Sequence, residues 1–173
     1  NGLIKVLSMM DANIEIKNQK LICNEESGDI LVKSSNLKGI EIPEDIIPNI
    51  IDEIPILSIA AAFAEGLTSI KNASELRVKE SDRLNAISEG LDKLNIKHDL
   101  YEDGILIEGK NDYVDYPGYI DSFDDHRIAM SFLIAGIRSK NGIKVKNCQN
   151  IETSFPGFKA TMTKLGMKIN ETN

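Results

Sequence analysis

Residues 52–58 read DEIPILS and residues 125–131 read DHRIAMS, two runs that each begin with an aspartate and lead into an apolar stretch, residues 54–64 and 128–137. After each run the chain reaches a glycine, Gly66 or Gly142, and then a short stretch of strand-like sequence that ends in asparagine. A segment that is apolar on all sides predicts a buried helix, because none of its faces favours water. The sequence therefore indicates an internal repeat built around two buried helices.

A second kind of helix, apolar on one face, also recurs. Its apolar positions at helical spacing are Leu3, Val6, Leu7 and Met10, then Leu84, Ile87, Leu91 and Leu94, and finally Phe158, Met162 and Leu165. For the last copy we expect Ser154 as the N-cap and Pro156 in the first turn. After the second copy, residues 97–101 and 105–108 predict a β-hairpin.

These segments combine into a unit of strand, helix, strand, helix, strand and strand. Because the all-apolar helices must be covered, the sequence predicts an α/β fold of repeated βαβαββ units with helices inside and sheets outside. The chain holds two such units and the tail of a third, and 173 residues suit a single domain spanning 1–173. The chain starts without methionine and inside a helical pattern, so we expect a fragment.

Composition narrows the possible functions. The chain is 42% hydrophobic and 27% charged, which is typical of globular proteins. A net charge of −7 argues against a sequence-blind nucleic-acid binder, which needs excess cations to neutralise phosphates. The longest apolar runs are about half the length that spans a bilayer, so no membrane association is expected. Cys23 and Cys148 lack metal-ligand spacing and predict reduced thiols in a cytoplasmic protein.

The stretch ELRVKESDR, residues 75–83, concentrates charge just before an amphipathic helix. With Ser81 or Asp82 as the N-cap, Arg83 falls in the first helical turn. Arg127 occupies the equivalent place in the helix headed by Asp125. A helix N-terminus attracts anions through its free N–H groups, and a guanidinium can bind a carboxylate or phosphate through two hydrogen bonds. These arginines therefore predict an anion site.

A purely structural interpretation of the arginines remains open. Arg83 and Arg127 could form exposed salt bridges, for which the available carboxylates are Glu80, Asp82, Asp124 and Asp125.

The other charged groups near these arginines also have two interpretations each. Asp52 is either the N-cap of the helix that begins at Glu53, a proton acceptor for a substrate hydroxyl, or both. Glu80 is either a proton-transfer group or part of an ion-pair network. His126 is either a structural hydrogen-bonding residue or part of the site.

Four ordered motifs together carry a family resemblance. Residues 51–57, 75–83, 125–130 and 153–156 resemble the carboxy-terminal half of the 5-enolpyruvylshikimate-3-phosphate synthase family. The resemblance covers nearly the whole chain. It implies one lobe of an inside-out α/β barrel with buried helices and outer sheets, truncated at its N-terminus. The partner implied is the missing amino-terminal lobe of the same protein.

The resemblance also implies a reaction. Members of this family transfer the enolpyruvyl group of phosphoenolpyruvate to the 5-hydroxyl of shikimate 3-phosphate and release phosphate, without a metal or organic cofactor. The reaction belongs to the shikimate pathway, which leads to chorismate and the aromatic amino acids. Two substrates that carry phosphates and carboxylates account for a dense set of cations at the site.

Site residues follow from the matched motifs. The resemblance implies that Asp52 accepts a proton beside the attacking hydroxyl, and that Glu80 transfers a proton at the methylene carbon of phosphoenolpyruvate. Lys79 is implied to contact shikimate 3-phosphate. The residues implied to hold phosphoenolpyruvate are Arg83 and Arg127, with His126 nearby.

The chain departs from the family pattern at two places. Glu75 stands where many members have asparagine, and residues 150–153 (NIET) lack the lysine that many members carry before the Ser-Phe-Pro segment. Two alternatives remain open at this point. One is the related enolpyruvyl transferase that acts on UDP-N-acetylglucosamine, and the other is a non-catalytic anion-binding module with the same fold.

Overall fold

The computed structural model describes residues 2–171, which form an α/β fold. Its elements in chain order are α1 (Gly2–Met9), β1 (Asn13–Ile22), β2 (Glu25–Lys33), α2 (Ile47–Ile50), α3 (Ile54–Ala62), β3 (Gly66–Ile70), α4 (Arg83–Lys93), β4 (His98–Leu100), β5 (Ile105–Gly109), β6 (Tyr119–Asp121), α5 (His126–Ala135), β7 (Lys144–Lys146), α6 (Ile151–Ser154) and α7 (Phe158–Lys164). Short 3-10 turns occupy Ile51–Glu53, Ser74–Val78 and Gly136–Arg138. Within residues 2–171, no helix is both long and apolar enough to cross a membrane.

The repeated unit is confirmed. In the sheet of the complete unit, β5 lies between β3 and β4 and is antiparallel to both. The chain before α2 runs parallel to β3, with bridges that join Lys38 to Glu65 and Glu41 to Ser69. The order is therefore strand, α3, β3, α4, β4, β5. The next unit repeats its beginning, because β6 and β7 are parallel and α5 lies between them in the chain.

The core lies among the helices. Seven of the nine residues of α3 are buried, because this helix has no polar face to turn toward water. Burying a large apolar side chain such as Ile54 or Leu57 stabilises the fold by about 1.5–3 kcal/mol. Gly90 lets α4 approach α5 closely, since a Cβ there would stand 2.0 Å from the ring of Phe132. Helices α3, α4 and α5 thus pack together, and their N-terminal ends carry the charged motifs.

The first hairpin is the least covered part of the described chain. Strands β1 and β2 pair antiparallel, and the register places Ile14 opposite Val32 and Ile16 opposite Ile30 on one face. Most of both strands is exposed, and Val32 retains 63% of its accessible surface. In the complete unit the equivalent hairpin β4–β5 buries Ile105 and Ile107 and leaves Leu100 exposed. The outer position predicted for the sheets is therefore most pronounced here.

The predicted start of α7 was wrong. Ser154 ends α6, and α7 begins at Phe158 after Gly157, whose φ is 78°. The N–H of Gly157 donates to the carboxylate of Glu152 at 3.0 Å, while the N–H of Phe155 donates to the carbonyl of Ile151 at 2.7 Å. Two separate short helices therefore replace the single capped helix.

Candidate active site

Arg83 lies at the centre of the site. It is the first residue of α4, directly after Asp82, whose carboxylate caps the helix by accepting from the N–H of Asn85. The Arg83 side chain is completely buried, and its three nitrogens reach three different carboxylates. Nε donates to Asp125 at 2.7 Å. The terminal nitrogens donate to Asp52 at 2.9 Å and to Glu80 at 2.5 Å.

Asp125 links two helix starts. Its Oδ1 accepts from the N–H groups of Arg127 at 2.9 Å and Ile128 at 3.4 Å, which caps α5. Its Oδ2 accepts from the hydroxyl of Ser81 at 3.1 Å as well as from Arg83. A carboxylate with no exposed surface needs such partners, because an unpaired buried charge is strongly destabilising. The contact between Arg83 and Asp125 therefore fixes α4 and α5 relative to each other.

Asp52 lies on the open side of the network and touches three cations. Its side chain is 41% exposed, and besides Arg83 it lies 3.5 Å from Arg127 and 3.6 Å from Lys79. Partial burial raises the pKa of Asp52, but Arg127, Lys79 and Arg83 together lower it more, so the pKa falls below its ordinary value. The carboxylate is therefore ionised at neutral pH.

Of the two interpretations that the sequence left open for Asp52, the N-cap of the following helix was wrong. Asp52 lies in the 3-10 turn Ile51–Glu53, and the residue that precedes α3 is Glu53, whose side chain makes no capping hydrogen bond. The physical reason is electrostatic, because the Asp52 carboxylate is directed to Arg83 and Arg127 instead.

The remaining cations are more accessible than Arg83. The side chain of Arg127 is 34% exposed, and it donates to the backbone carbonyl of Asp52 at 2.8 Å. Lys79 is hydrogen-bonded to Glu75, a contact that raises the pKa of the lysine despite some desolvation. Glu75 thus neutralises one of the cations of the site.

The structure brings together most of the residues singled out from sequence. They form one ion-pair network, whose members are Asp52, Lys79, Glu80, Arg83 and Arg127. His126 begins α5 beside them but makes no ion pair with this network within residues 2–171. The salt-bridge alternative correctly named Glu80 and Asp125 as partners of Arg83. It was wrong to place these salt bridges on the surface, because the Arg83 side chain is buried.

The local charge is mixed rather than cationic. The cations Lys79, Arg83 and Arg127 face at least as many carboxylates, with Asp125 completely enclosed. An anionic substrate would therefore compete with carboxylates of the chain for the same N–H groups.

Sequence reasoning considered Ser81 only as a possible N-cap, a position that Asp82 takes, and gave no role to Arg77. Ser81 donates to Asp125, and only the tertiary contact reveals that. Arg77 holds the charged segment against the β4–β5 turn by donating to the carbonyls of Tyr101 and Glu102, both at 2.6 Å. The sequence did show Arg77 as a third cation within residues 75–83, but its spacing could not indicate which groups its side chain contacts.

A network of arginines and carboxylates at the N-terminal ends of buried helices, set in repeated βαβαββ units, defines a lobe with the fold of an enolpyruvyl transferase. A solved EPSP synthase from Acinetobacter baumannii superposes on this chain with a TM-score of 0.95 and 42% sequence identity. The match covers 100% of this chain and 40% of that one.

The sequence pattern of EPSP synthase, also called 3-phosphoshikimate 1-carboxyvinyltransferase, matches residues 1–162. The chain belongs to the EPSP synthase family. Relatives named 3-phosphoshikimate 1-carboxyvinyltransferase are 44% identical in Coxiella burnetii, over 97% of this chain, and 45% identical in Legionella pneumophila, over 98%. The chain spans 38% and 39% of the length of these two relatives.

Proposed function

We propose that this chain forms most of the carboxy-terminal lobe of an enzyme that transfers the enolpyruvyl group of phosphoenolpyruvate to the 5-hydroxyl of shikimate 3-phosphate. The observation that carries the proposal is the network in which Arg83 joins Asp52, Glu80 and Asp125. It combines anion-binding groups with carboxylates that can move protons, and this reaction needs both. Phosphate is the second product, and the pathway served is the shikimate pathway.

Arg127 and Arg83 are proposed to bind phosphoenolpyruvate in different ways. Arg127 is partly exposed and can offer N–H donors directly to a carboxylate or phosphate. Arg83 is enclosed, so an anion reaches its terminal nitrogens only by displacing the carboxylate of Asp52 or Glu80. Substrate binding therefore releases a carboxylate from an ion pair.

That release suits Asp52 to the role of general base. In the absence of substrate, Arg127, Lys79 and Arg83 hold its pKa down and make it a weak proton acceptor. Bound anions would neutralise part of this positive field and so raise the proton affinity of the carboxylate. Asp52 would then take the proton of the attacking hydroxyl with the substrates in place.

Glu80, Lys79 and His126 are assigned the remaining roles. Glu80 is 51% exposed, so its carboxylate is accessible to a bound substrate, and it is proposed to transfer the proton at the methylene group. Lys79 is proposed to contact shikimate 3-phosphate as a flexible point charge. His126, at the first position of α5, is proposed to lie beside bound phosphoenolpyruvate.

Residues 1–173 are proposed to act as one domain that closes against a second lobe. The exposed sides of Asp52, Lys79, Glu80 and Arg127 lie together on one surface, which would form one wall of a cleft. Catalysis needs both substrates fixed between two walls, because positioning can supply about 7–11 kcal/mol of the barrier reduction. The amino-terminal lobe of the same protein is the partner required.

Turnover by separated lobes tests this function. We expect the chain alone to unfold cooperatively on heating, yet to release no phosphate from phosphoenolpyruvate and shikimate 3-phosphate. Adding the amino-terminal lobe should restore phosphate release, and Asp52→Asn in the same mixture should lower the rate by about 10²–10⁴-fold. Full turnover by the chain alone would contradict the two-lobe proposal.

The same assay separates the two alternatives. Turnover with UDP-N-acetylglucosamine in place of shikimate 3-phosphate would favour the related transferase, against which the family match already argues. A non-catalytic module would bind phosphate through its arginines but show no turnover with either acceptor in the presence of both lobes. In that case Asp52→Asn would leave the binding of phosphate unchanged.

A further inference from the structure

The turn that delivers Asp125 to the site has an unfavourable sequence. The N–H of Asp125 donates to the carbonyl of Ser122 at 3.0 Å, and the two residues between them, Phe123 and Asp124, have φ values of 54° and 57°. Positive φ at both central positions is the pattern of a type I′ turn, which favours asparagine and glycine. A phenylalanine at the first central position is disfavoured, because its Cβ crowds the backbone.

Hydrogen bonds with Asp121 on β6 and with the segment after β7 hold this turn in place. The N–H of Phe123 donates to the carboxylate of Asp121 at 2.9 Å, and Asn147 donates to the same oxygen at 2.7 Å. The hydroxyl of Ser122 donates to the carbonyl of Asn147 at 2.7 Å. The side-chain amide of Asn150 donates to the backbone carbonyl of Asp124 at 2.6 Å. A strained residue persists only where its surroundings enforce the conformation, and such residues concentrate at functional sites.

Core packing does not account for the phenyl ring. Phe123 retains 39% of its accessible surface, whereas Phe132 on α5 retains 1%. The ring instead forms one side of a surface pocket of about 310 Å³, together with Glu80, Ser81 and the exposed face at the start of α4. The strained turn therefore places Phe123 in the same pocket as Glu80, the residue that is proposed to transfer a proton.

We propose that Phe123 is a positioning residue, whose ring restricts the movement of the Glu80 carboxylate and excludes water from that side of the bound enolpyruvyl group. This inference rests on the proposed function. It assigns a role to a residue outside the ion-pair network and explains why an aromatic ring occupies a left-handed position. The ring acts through Glu80 and carries no charge or proton itself.

Three substitutions in the complete enzyme separate the ring from the backbone strain. Phe123→Ala removes the ring and keeps the strain, Phe123→Asn removes the ring and tolerates positive φ, and Phe123→Tyr keeps the ring. We expect Ala and Asn to lower kcat by at least about tenfold, as misplacement of a reacting group does. We expect the KM for shikimate 3-phosphate to stay within about threefold and Tyr to retain nearly full activity.

Thermal unfolding provides a second measurement. Within the 173-residue chain, the Asn variant should unfold about 1–4 °C above the Ala variant, because it relieves the left-handed strain without restoring the ring. Asp124→Gly is the matched control, since it relieves positive φ at the adjacent residue and leaves the ring in place, and it should keep kcat. An equal loss of kcat in Asp124→Gly would assign the effect to the turn and overturn the role of the ring.

The remaining outcomes are also decisive. If the Ala and Asn variants keep the parent kcat, the ring has no role although the proposed function stands. If the Ala and Asn variants unfold at the same temperature, the strain argument fails. A parent enzyme that transfers no enolpyruvyl group to shikimate 3-phosphate would overturn the proposed function, and this inference with it.

Discussion

Replacing Arg83 with methionine should be among the most destabilising single changes in this chain. Arg83→Met keeps an unbranched side chain of similar length but removes the cation that faces the fully buried Asp125. Breaking a buried ion pair by deleting one partner costs about 3–5 kcal/mol. For a chain of this length each kcal/mol lowers the unfolding midpoint by about 2–4 °C, so the expected decrease is about 6–20 °C.

Two controls give this prediction its specificity, with unfolding of the chain followed in urea and on heating. Arg77→Met removes an arginine from the same segment, but its side chain is 26% exposed and pairs with the accessible Asp82, so we expect a loss of roughly 1–2 kcal/mol. Adding Asp125→Asn to Arg83→Met removes the orphaned charge and should recover about 1–3 kcal/mol relative to additivity. The reasoning fails if Arg83→Met destabilises no more than Arg77→Met, or if the two site changes are additive.

Three further predictions concern the same network. Arg127→Lys in the complete enzyme should weaken the binding of phosphoenolpyruvate by about ten- to a hundredfold, because lysine cannot form the two parallel hydrogen bonds of the guanidinium group. Calorimetry should find the affinity for shikimate 3-phosphate much less affected, and equal losses for both substrates would contradict the assignment. Asp52→Asn should lower kcat by about 10²–10⁴-fold while the chain stays folded, and a loss below about tenfold in steady-state kinetics would leave Asp52 without a catalytic role. Because the pKa of Asp52 is lowered from 3.8, its ion pairs should stabilise the chain fully above pH 3.8 and lose that contribution as the pH falls through the lower folded value. The difference in urea stability between the chain and its Asp52→Asn variant should therefore be constant from pH 7 to about 4 and shrink below that, and a difference that grows on acidification would refute the stated direction of the shift.

Local features of the sequence were enough to predict the repeated unit. The all-apolar runs at α3 and α5 predicted buried helices, and the one-sided apolar spacing around Leu84 predicted the amphipathic helix α4. The hairpin β4–β5 followed from alternation around a glycine-containing turn. These features depend on neighbours within a few residues, so they could be read directly from the chain. The prediction that Ser154 is an N-cap was wrong because the N–H of Gly157, which a cap at Ser154 would bind, donates to the carboxylate of Glu152 instead.

The sequence by itself determined which residue types are present at the site and that Arg83 and Arg127 lie in the first turns of helices. Only the tertiary structure decided how those residues pair. Arg83 meets Asp125 and Asp52 because α3, α4 and α5 pack with their N-terminal ends together, although these residues are 42 and 31 positions from Arg83 in the chain. Tertiary packing also accounts for three other features, which are the burial of Arg83, the partial exposure of Asp52 and the left-handed turn at Phe123. Sequence spacing specifies the face of a helix, whereas the distance between two charges and their access to water depend on how separate helices pack.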